Sequence, residues 1–123
     1  MRFEDLSIGT DIEDVARFKN VSEAFKERIF TPLETEYCSS KSFPAQHYAA
    51  RFCAKEAVFK ALSSFGERGI EFNKLEVYHE NEVPCFRFLN NLDKKYKVKL
   101  SLSHDKTKAL AYVIIFKADE DME

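Results

Sequence analysis

The sequence predicts one α+β domain in which an antiparallel sheet packs against a long helix. Three observations carry this. Residues 44–62 form an alanine-rich helical stretch, four β-type segments follow it, and no repeat or long linker divides the 123 residues. A chain of that length is near the commonest domain size and buries one core.

Taken in order, residues 6–12, Leu-Ser-Ile-Gly-Thr-Asp-Ile, read as a short strand. Leu6, Ile8 and Ile12 are expected on its packed side, with Asp11 near its end. The pattern turns helical over 13–18, and 21–30 repeats it with Val21, Phe25 and Ile29 four apart. Thr31 can cap the next helix, Pro32 suits its first position, and Glu34 stands where a capping box needs it. That helix should reach about Cys38, before the polar loop 39–42.

The longest helix is expected from Pro44 to Leu62, carried by Ala45, Ala49, Ala50, Ala54, Ala57 and Ala61. Gly66 and Gly69 mark a flexible loop after it. Strands are expected at 71–79, 83–89, 96–103 and 108–116, with Pro84 and Asn90-Asn91 at turns. Residues 1–5 and 119–123 should fray. Most of the 12 Phe are read as core.

Composition narrows the function. Apolar residues make up 45% and charged residues 33%, which suits a soluble globular protein. The net charge of -2 gives no bulk field for nucleic acid or an anionic membrane, so a phosphate-rich ligand needs a local cation cluster. No apolar run approaches the roughly 20 residues of a membrane span. Met1 to Leu6 is too acidic for a secretory signal. Cys38, Cys53 and Cys85 are odd in number and widely spaced, which suggests reduced thiols in the cytoplasm rather than disulfides or zinc ligands.

Three features could carry chemistry. On a helical wheel Glu56 and Lys60 fall at about 80° and 120° from Tyr48, inside an arc shared with Phe52, Phe59, Ala49 and Cys53. A carboxylate there must be paired, protonated or bound to a cation. Pairing with Lys60 four residues on is the simpler outcome. Arg51 and Lys55 share an adjoining strip that a solvated face explains equally well. Asp11 suits a cap for the helix at 13–18, or a hard oxygen ligand for magnesium, which takes only one or two carboxylates. In Ser103-His104-Asp105, His104 suits a surface role, a phosphate donor or a proton carrier. Three successive residues cannot converge as a nucleophile relay.

Together these segments resemble the holo-[acyl-carrier-protein] synthase family of phosphopantetheinyl transferases. The resemblance runs from about Ile8 to Val113. It rests on Ile-Gly-Thr-Asp-Ile at 8–12 with Arg17-Phe18, on Arg28-Ile29-Phe30-Thr31 with Glu34 and Tyr37-Cys38, on Ala50-Arg51-Phe52-Cys53-Ala54-Lys55-Glu56-Ala57 with Lys60-Ala61-Leu62, and on Ser101-Leu102-Ser103-His104.

The resemblance implies transfer of 4'-phosphopantetheine from coenzyme A to a serine of an apo acyl carrier protein, releasing 3',5'-ADP. It implies magnesium on Asp11 and Glu56, and coenzyme A phosphates met by Arg51, Lys55, Lys60, Ser103 and His104. Glu56, Lys60 and His104 are the implied catalytic residues, with Glu56 the first choice as base. Arg17, Lys26 and Arg28 become candidates to receive the acidic carrier. The implied assembly is a homotrimer of phosphopantetheinyl transferase-like subunits with sites between neighbours. The sequence departs from the family at Ser7, where a Gly is common, and at Ser63-Ser64, where a Gly-Thr-Gly-like loop is usual. The alternative is a non-catalytic module that binds coenzyme A or a carrier protein.

Overall fold

In the computed structural model, which describes residues 1–118, strands β1 (Leu6–Asp14), β4 (Tyr96–His104) and β5 (Lys108–Lys117) form an antiparallel sheet in the order β1-β5-β4. A separate hairpin pairs β2 (Leu75–Glu80) with β3 (Val83–Phe88). Helices α1 (Glu23–Ile29), α2 (Pro32–Ser39) and α3 (Pro44–Ser63) lie between β1 and β2 in the chain, and the single turn α4 (Leu92–Lys95) precedes β4.

Helix α3 is the axis of the domain. It packs on β1, β5 and β4 on one side and on α2 and β2 elsewhere. Ala54, Ala57, Val58, Ala61 and Leu62 are wholly buried with Leu75, Val113 and Ile115. A second cluster gathers Phe18, Phe30, Tyr48 and Phe52, with Phe25 and Phe72 packed at its edges, which accounts for much of the phenylalanine content.

The alanines of α3 decide how β1 lies. A Cβ on Gly9 would stand 2.0 Å from the Ala57 carbonyl oxygen and 3.2 Å from the Ala61 Cβ, so only glycine lets the strand come this close. Ser7 and Gly9 therefore face inward. Leu6, Ile8 and Ile12 face outward, with Ile8 64% and Ile12 62% exposed. This reverses the expected face, because the space above the alanines admits no large side chain. The outward residues join Leu110, Tyr112 and Ile114 of β5 in an exposed apolar sheet face. Ser7 Oγ donates to the Ala61 carbonyl at 2.7 Å and lies 2.6 Å from Ser64 Oγ, so two of the departures from the family pattern bond to each other.

Several local signals act as expected. Thr31 Oγ1 accepts from the Glu34 amide while Glu34 Oε1 accepts from the Thr31 amide, forming the capping box of α2. Other expectations need correcting. Residues 13–14 continue β1 and only Val15–Phe18 turn, as a 3-10 helix; its cap position is Asp14, so Asp11 caps nothing. Pro84 lies within β3, and the hairpin turns at Asn81-Glu82, whose φ angles are 51° and 66°. Phe3–Asp5, expected to fray, form a 3-10 turn. The fraying expected at 119–123 lies outside the described residues.

Candidate active site

Strand β1 carries Asp11 two residues beyond Gly9, on the same face. The close approach at Gly9 thus delivers Asp11 against α3. Its side chain keeps only 10% exposure. Cys53 of α3 donates its thiol to the Asp11 carbonyl at 2.9 Å, and burial pushes that thiol up, so it stays protonated. Lys60 of α3 donates to Asp11 Oδ1 at 3.0 Å and to the Thr10 carbonyl at 3.1 Å. Asp11 Oδ2 is buried with no hydrogen-bond partner. A carboxylate oxygen in that position is strongly under-satisfied.

Glu56 stands beside this group on α3. Burial raises its carboxyl first, and the Asp11 charge raises it next, so the two carboxylates share one electrostatic neighbourhood. Lys60 pairs with Asp11 and not with Glu56, which removes the simple intrahelical Glu56–Lys60 ion pair. The Lys60 ammonium is exposed and is held above its usual range, chiefly by its bond to Asp11. Glu13, two further along β1, was missed by sequence reasoning. Its carboxyl is pushed up to about 7 by burial and then by Asp11, although Arg17 Nη1 donates to it at 2.7 Å.

Asp11, Glu13 and Glu56 therefore concentrate negative charge around one orphaned oxygen. No set of three or more His, Cys, Asp or Glu among the described residues is placed to hold a metal ion. Magnesium asks for less: one or two carboxylates, with phosphate and water completing its octahedron. The donor set of Asp11 and Glu56 fits that hard, oxygen-seeking ion.

Lys55 goes elsewhere, and the expectation that it meets coenzyme A phosphates is corrected. Its side chain is 0% exposed. The ammonium donates to Glu34 Oε1 at 2.6 Å and reaches the carbonyls of Ile29 at 2.6 Å, Leu75 at 2.7 Å and Phe72 at 2.9 Å. Three N–H donors already face four acceptors, leaving none for a ligand. Burial pushes Glu34 up and Lys55 down, each opposed first by the other's charge. Lys55 is the polar pin that joins α1, α2, α3 and β2.

Arg51 is also buried, at 2% exposure, but incompletely satisfied. Its Nη2 lies 3.2 Å from His79 Nδ1, its Nη1 donates to the His47 carbonyl at 3.4 Å, and its Nε has no partner. Ser103 and His104 are exposed at the end of β4, and the His104 ring meets His47 edge-on at 5.3 Å. Asp105 accepts from the Thr107 and Lys108 amides, each at 2.8 Å, and so shapes the β4–β5 turn rather than serving His104. The structure thus gathers Asp11, Glu56 and Lys60 in one group and links Arg51 to His104 through His47 in another.

Of the residues expected to receive a carrier, the Arg17 guanidinium lies over the Phe52 ring at 5.0 Å, and Lys26 lies over Tyr48 at 5.2 Å while reaching Glu23 at 3.3 Å. Arg28 is exposed. A cavity of about 710 Å³ beside them is lined by Val15, Phe18, Val21 and Tyr48, with Lys19 and Lys26 among its cations.

A family model described as "4'-phosphopantetheinyl transferase superfamily" matches residues 7–114. A holo-[acyl-carrier-protein] synthase from a Geobacter species is 41% identical over 118 residues, covering 87% of this chain and 94% of that protein. One from Clostridium acetobutylicum is 36% identical, covering 88% and 94%. Among solved structures, the synthase from Neisseria meningitidis superposes with a TM-score of 0.77 at 33% identity, covering 89% of this chain and 96% of that one. The synthase from Bacillus anthracis, solved in complex with CoA (3',5'-ADP), gives 0.76 at 30% identity, covering 91% and 96%. On the match across nearly its whole length, the chain belongs to the holo-[acyl-carrier-protein] synthase family of the 4'-phosphopantetheinyl transferase superfamily.

Proposed function

We propose that this chain transfers the 4'-phosphopantetheine arm of coenzyme A to a serine hydroxyl of an acidic apo acyl carrier protein, with magnesium held by Asp11 and Glu56. The observation that carries the reading is the buried, unpartnered Oδ2 of Asp11 in the neighbourhood of Glu56, with the Lys60 cation alongside.

The serine oxygen attacks the phosphorus on the pantetheine side of the pyrophosphate. The bridging P–O bond breaks, and 3',5'-ADP leaves with the electron pair. Such transfers depend mainly on positioning and charge neutralisation. Magnesium, when bound, supplies a hard Lewis acid for the phosphate oxygens. Lys60, half exposed on a flexible stem, can turn from Asp11 to the pyrophosphate and balance charge that grows on it. Glu56, raised above the ordinary carboxylate range, accepts the serine proton. Arg17, Lys26 and Arg28 would receive the acidic carrier, with the adjoining cavity taking its apolar side chains.

The homotrimer belongs to this proposal. The outward face of Leu6, Ile8, Ile12, Leu110, Tyr112 and Ile114 is contiguous across β1 and β5, and an apolar face of that kind calls for cover. Arg51 and Glu56 lie about 140° apart around α3, so one coenzyme reaching both the Arg51 cation and the magnesium proposed at Glu56 is best served by two subunits. No helix of the described residues is long and apolar enough to cross a membrane. The three free cysteines, two of them buried, suit a reducing cytoplasmic setting.

Mass spectrometry of an apo carrier after incubation with the protein, coenzyme A and magnesium tests the reading. A carrier heavier by one phosphopantetheine is expected. An unchanged mass across several carriers would leave only a binding module.

A further inference from the structure

The chain has three histidines, and they come from three different elements to one place. His79 of β2 stacks on Tyr37 of α2, with centroids 4.7 Å apart and 6° between the planes. His47 of α3 meets Tyr37 edge-on at 5.8 Å and His104 of β4 edge-on at 5.3 Å. The Arg51 guanidinium also covers Tyr37, at 4.1 Å, and the Lys41 ammonium lies 4.5 Å from the same ring. Arg51, Tyr37 and His79 line a groove of about 570 Å³.

What this cluster lacks is an anion. Among the described residues no salt bridge involves Arg51, Lys41 or any histidine. Glu36 lines the same groove without pairing to Arg51, and Arg87 on its rim is taken by Glu76. A buried guanidinium without a counter-charge, and with one N–H unpartnered, is costly unless a ligand completes it. Its contact with His79 Nδ1 requires that nitrogen to be unprotonated, since the guanidinium has no lone pair to offer.

We infer that His47 and His79 join Arg51 in holding a phosphate monoester of coenzyme A, and that this anion binds together with protons drawn from solvent onto the two imidazoles. The inference rests on the coenzyme A reading above but assigns residues and a linkage that reading does not contain. In the free protein, burial and then the neighbouring cations hold His79 below its usual range. Burial followed by His104, Arg51, Lys41 and His79 brings His47 to about 4. The groups facing the imidazoles are Tyr37 from α2, Lys41 after it, Arg51 from α3 and His104 from β4, while Glu36 and Arg87 line the groove that His79 shares. Cations outnumber the one carboxylate, so both rings stay neutral near pH 7. A phosphate monoester carries about -1.5 to -2 charge there, and an opposite charge at contact favours the protonated ring. Protonation of Nδ1 on His79 then ends its contact with Arg51. Nη2 and the unpartnered Nε become two donors for one phosphate, the bidentate mode to which a guanidinium is suited.

The test follows the three imidazole signals by NMR through a pH titration, assigned with His47→Gln and His79→Asn. Free protein is compared with protein saturated by coenzyme A or by dephospho-coenzyme A. Coenzyme A is expected to raise the His79 and His47 midpoints by a unit or more, a tenfold change in proton affinity, and dephospho-coenzyme A to leave them near their free values. Saturable coenzyme A binding with unmoved midpoints overturns the inference and leaves the transferase reading standing. Equal shifts with dephospho-coenzyme A overturn the assignment to the monoester. Failure of coenzyme A to bind at all, with magnesium present, overturns both readings.

Discussion

Replacing Lys55 by Met separates two roles that sequence alone could not distinguish. The substitution keeps length and removes the ammonium that bonds Glu34 and reaches three carbonyls inside the domain. Removing one partner of a buried ion pair costs about 3–5 kcal/mol, because the other charge is stranded. Protonation of Glu34, already favoured by its burial, limits the loss to that range rather than the sum of four broken bonds. Against a total of roughly 5–15 kcal/mol for a domain, this is a large share. At roughly 4 °C per kcal/mol for a chain of this size, thermal unfolding should fall by about 12–20 °C. Adding Glu34→Gln removes the stranded charge, so the double variant should lose clearly less than the two single losses added together. Circular dichroism at one fixed protein concentration measures the stability, and calorimetry at low temperature measures coenzyme A affinity, which should stay within about twofold. Unchanged stability with a tenfold loss of affinity would refute the reasoning and return Lys55 to the ligand.

Further outcomes follow from the packing of β1. Gly9→Ala places a Cβ 2.0 Å from the Ala57 carbonyl, so it should cost about 1–3 kcal/mol and reduce transfer beyond that loss by shifting Asp11; wild-type turnover with intact stability contradicts the close-approach account. Ile8→Glu charges the exposed sheet face and should yield monomers in analytical ultracentrifugation, whereas an unchanged assembly removes that face from the interface. Glu13→Gln addresses pH. The folded carboxyl of Glu13, at about 7, lies above its ordinary 4.5, so its stabilising contribution is complete below about 4.5 and lost as pH rises through about 7. Without divalent ions the variant should therefore unfold at higher temperature than wild type at pH 8 and show little difference at pH 5; the opposite order contradicts the crowding of charge at Asp11.

Much of the fold is written locally. The Thr31-Pro32-Glu34 box starts α2 by bonds that span three residues, and alanine content alone supports α3 over its full length. What escapes local reading is set by distant partners. Alternation along β1 gives two faces, but which one turns inward depends on the alanines of α3, fifty residues away, which exclude Ile8 and admit Gly9. The wheel places Arg51 and Lys55 on one strip without showing that α2 and β2 enclose it. Reading 13–18 as helix also hid Glu13, since only strand periodicity puts it on the Asp11 face. The histidine cluster had no sequence signal, because its members are brought together from three elements by tertiary packing alone.

Binding of manganese, a paramagnetic stand-in for magnesium, tests the centre of the account most directly when followed by electron spin resonance in wild type, Asp11→Asn and Glu56→Gln with coenzyme A present. One ion per subunit in wild type, weakened at least tenfold in each variant while circular dichroism stays native, is the expected result. Equal manganese affinity in all three proteins would separate the two carboxylates from the metal and contradict the proposed chemistry.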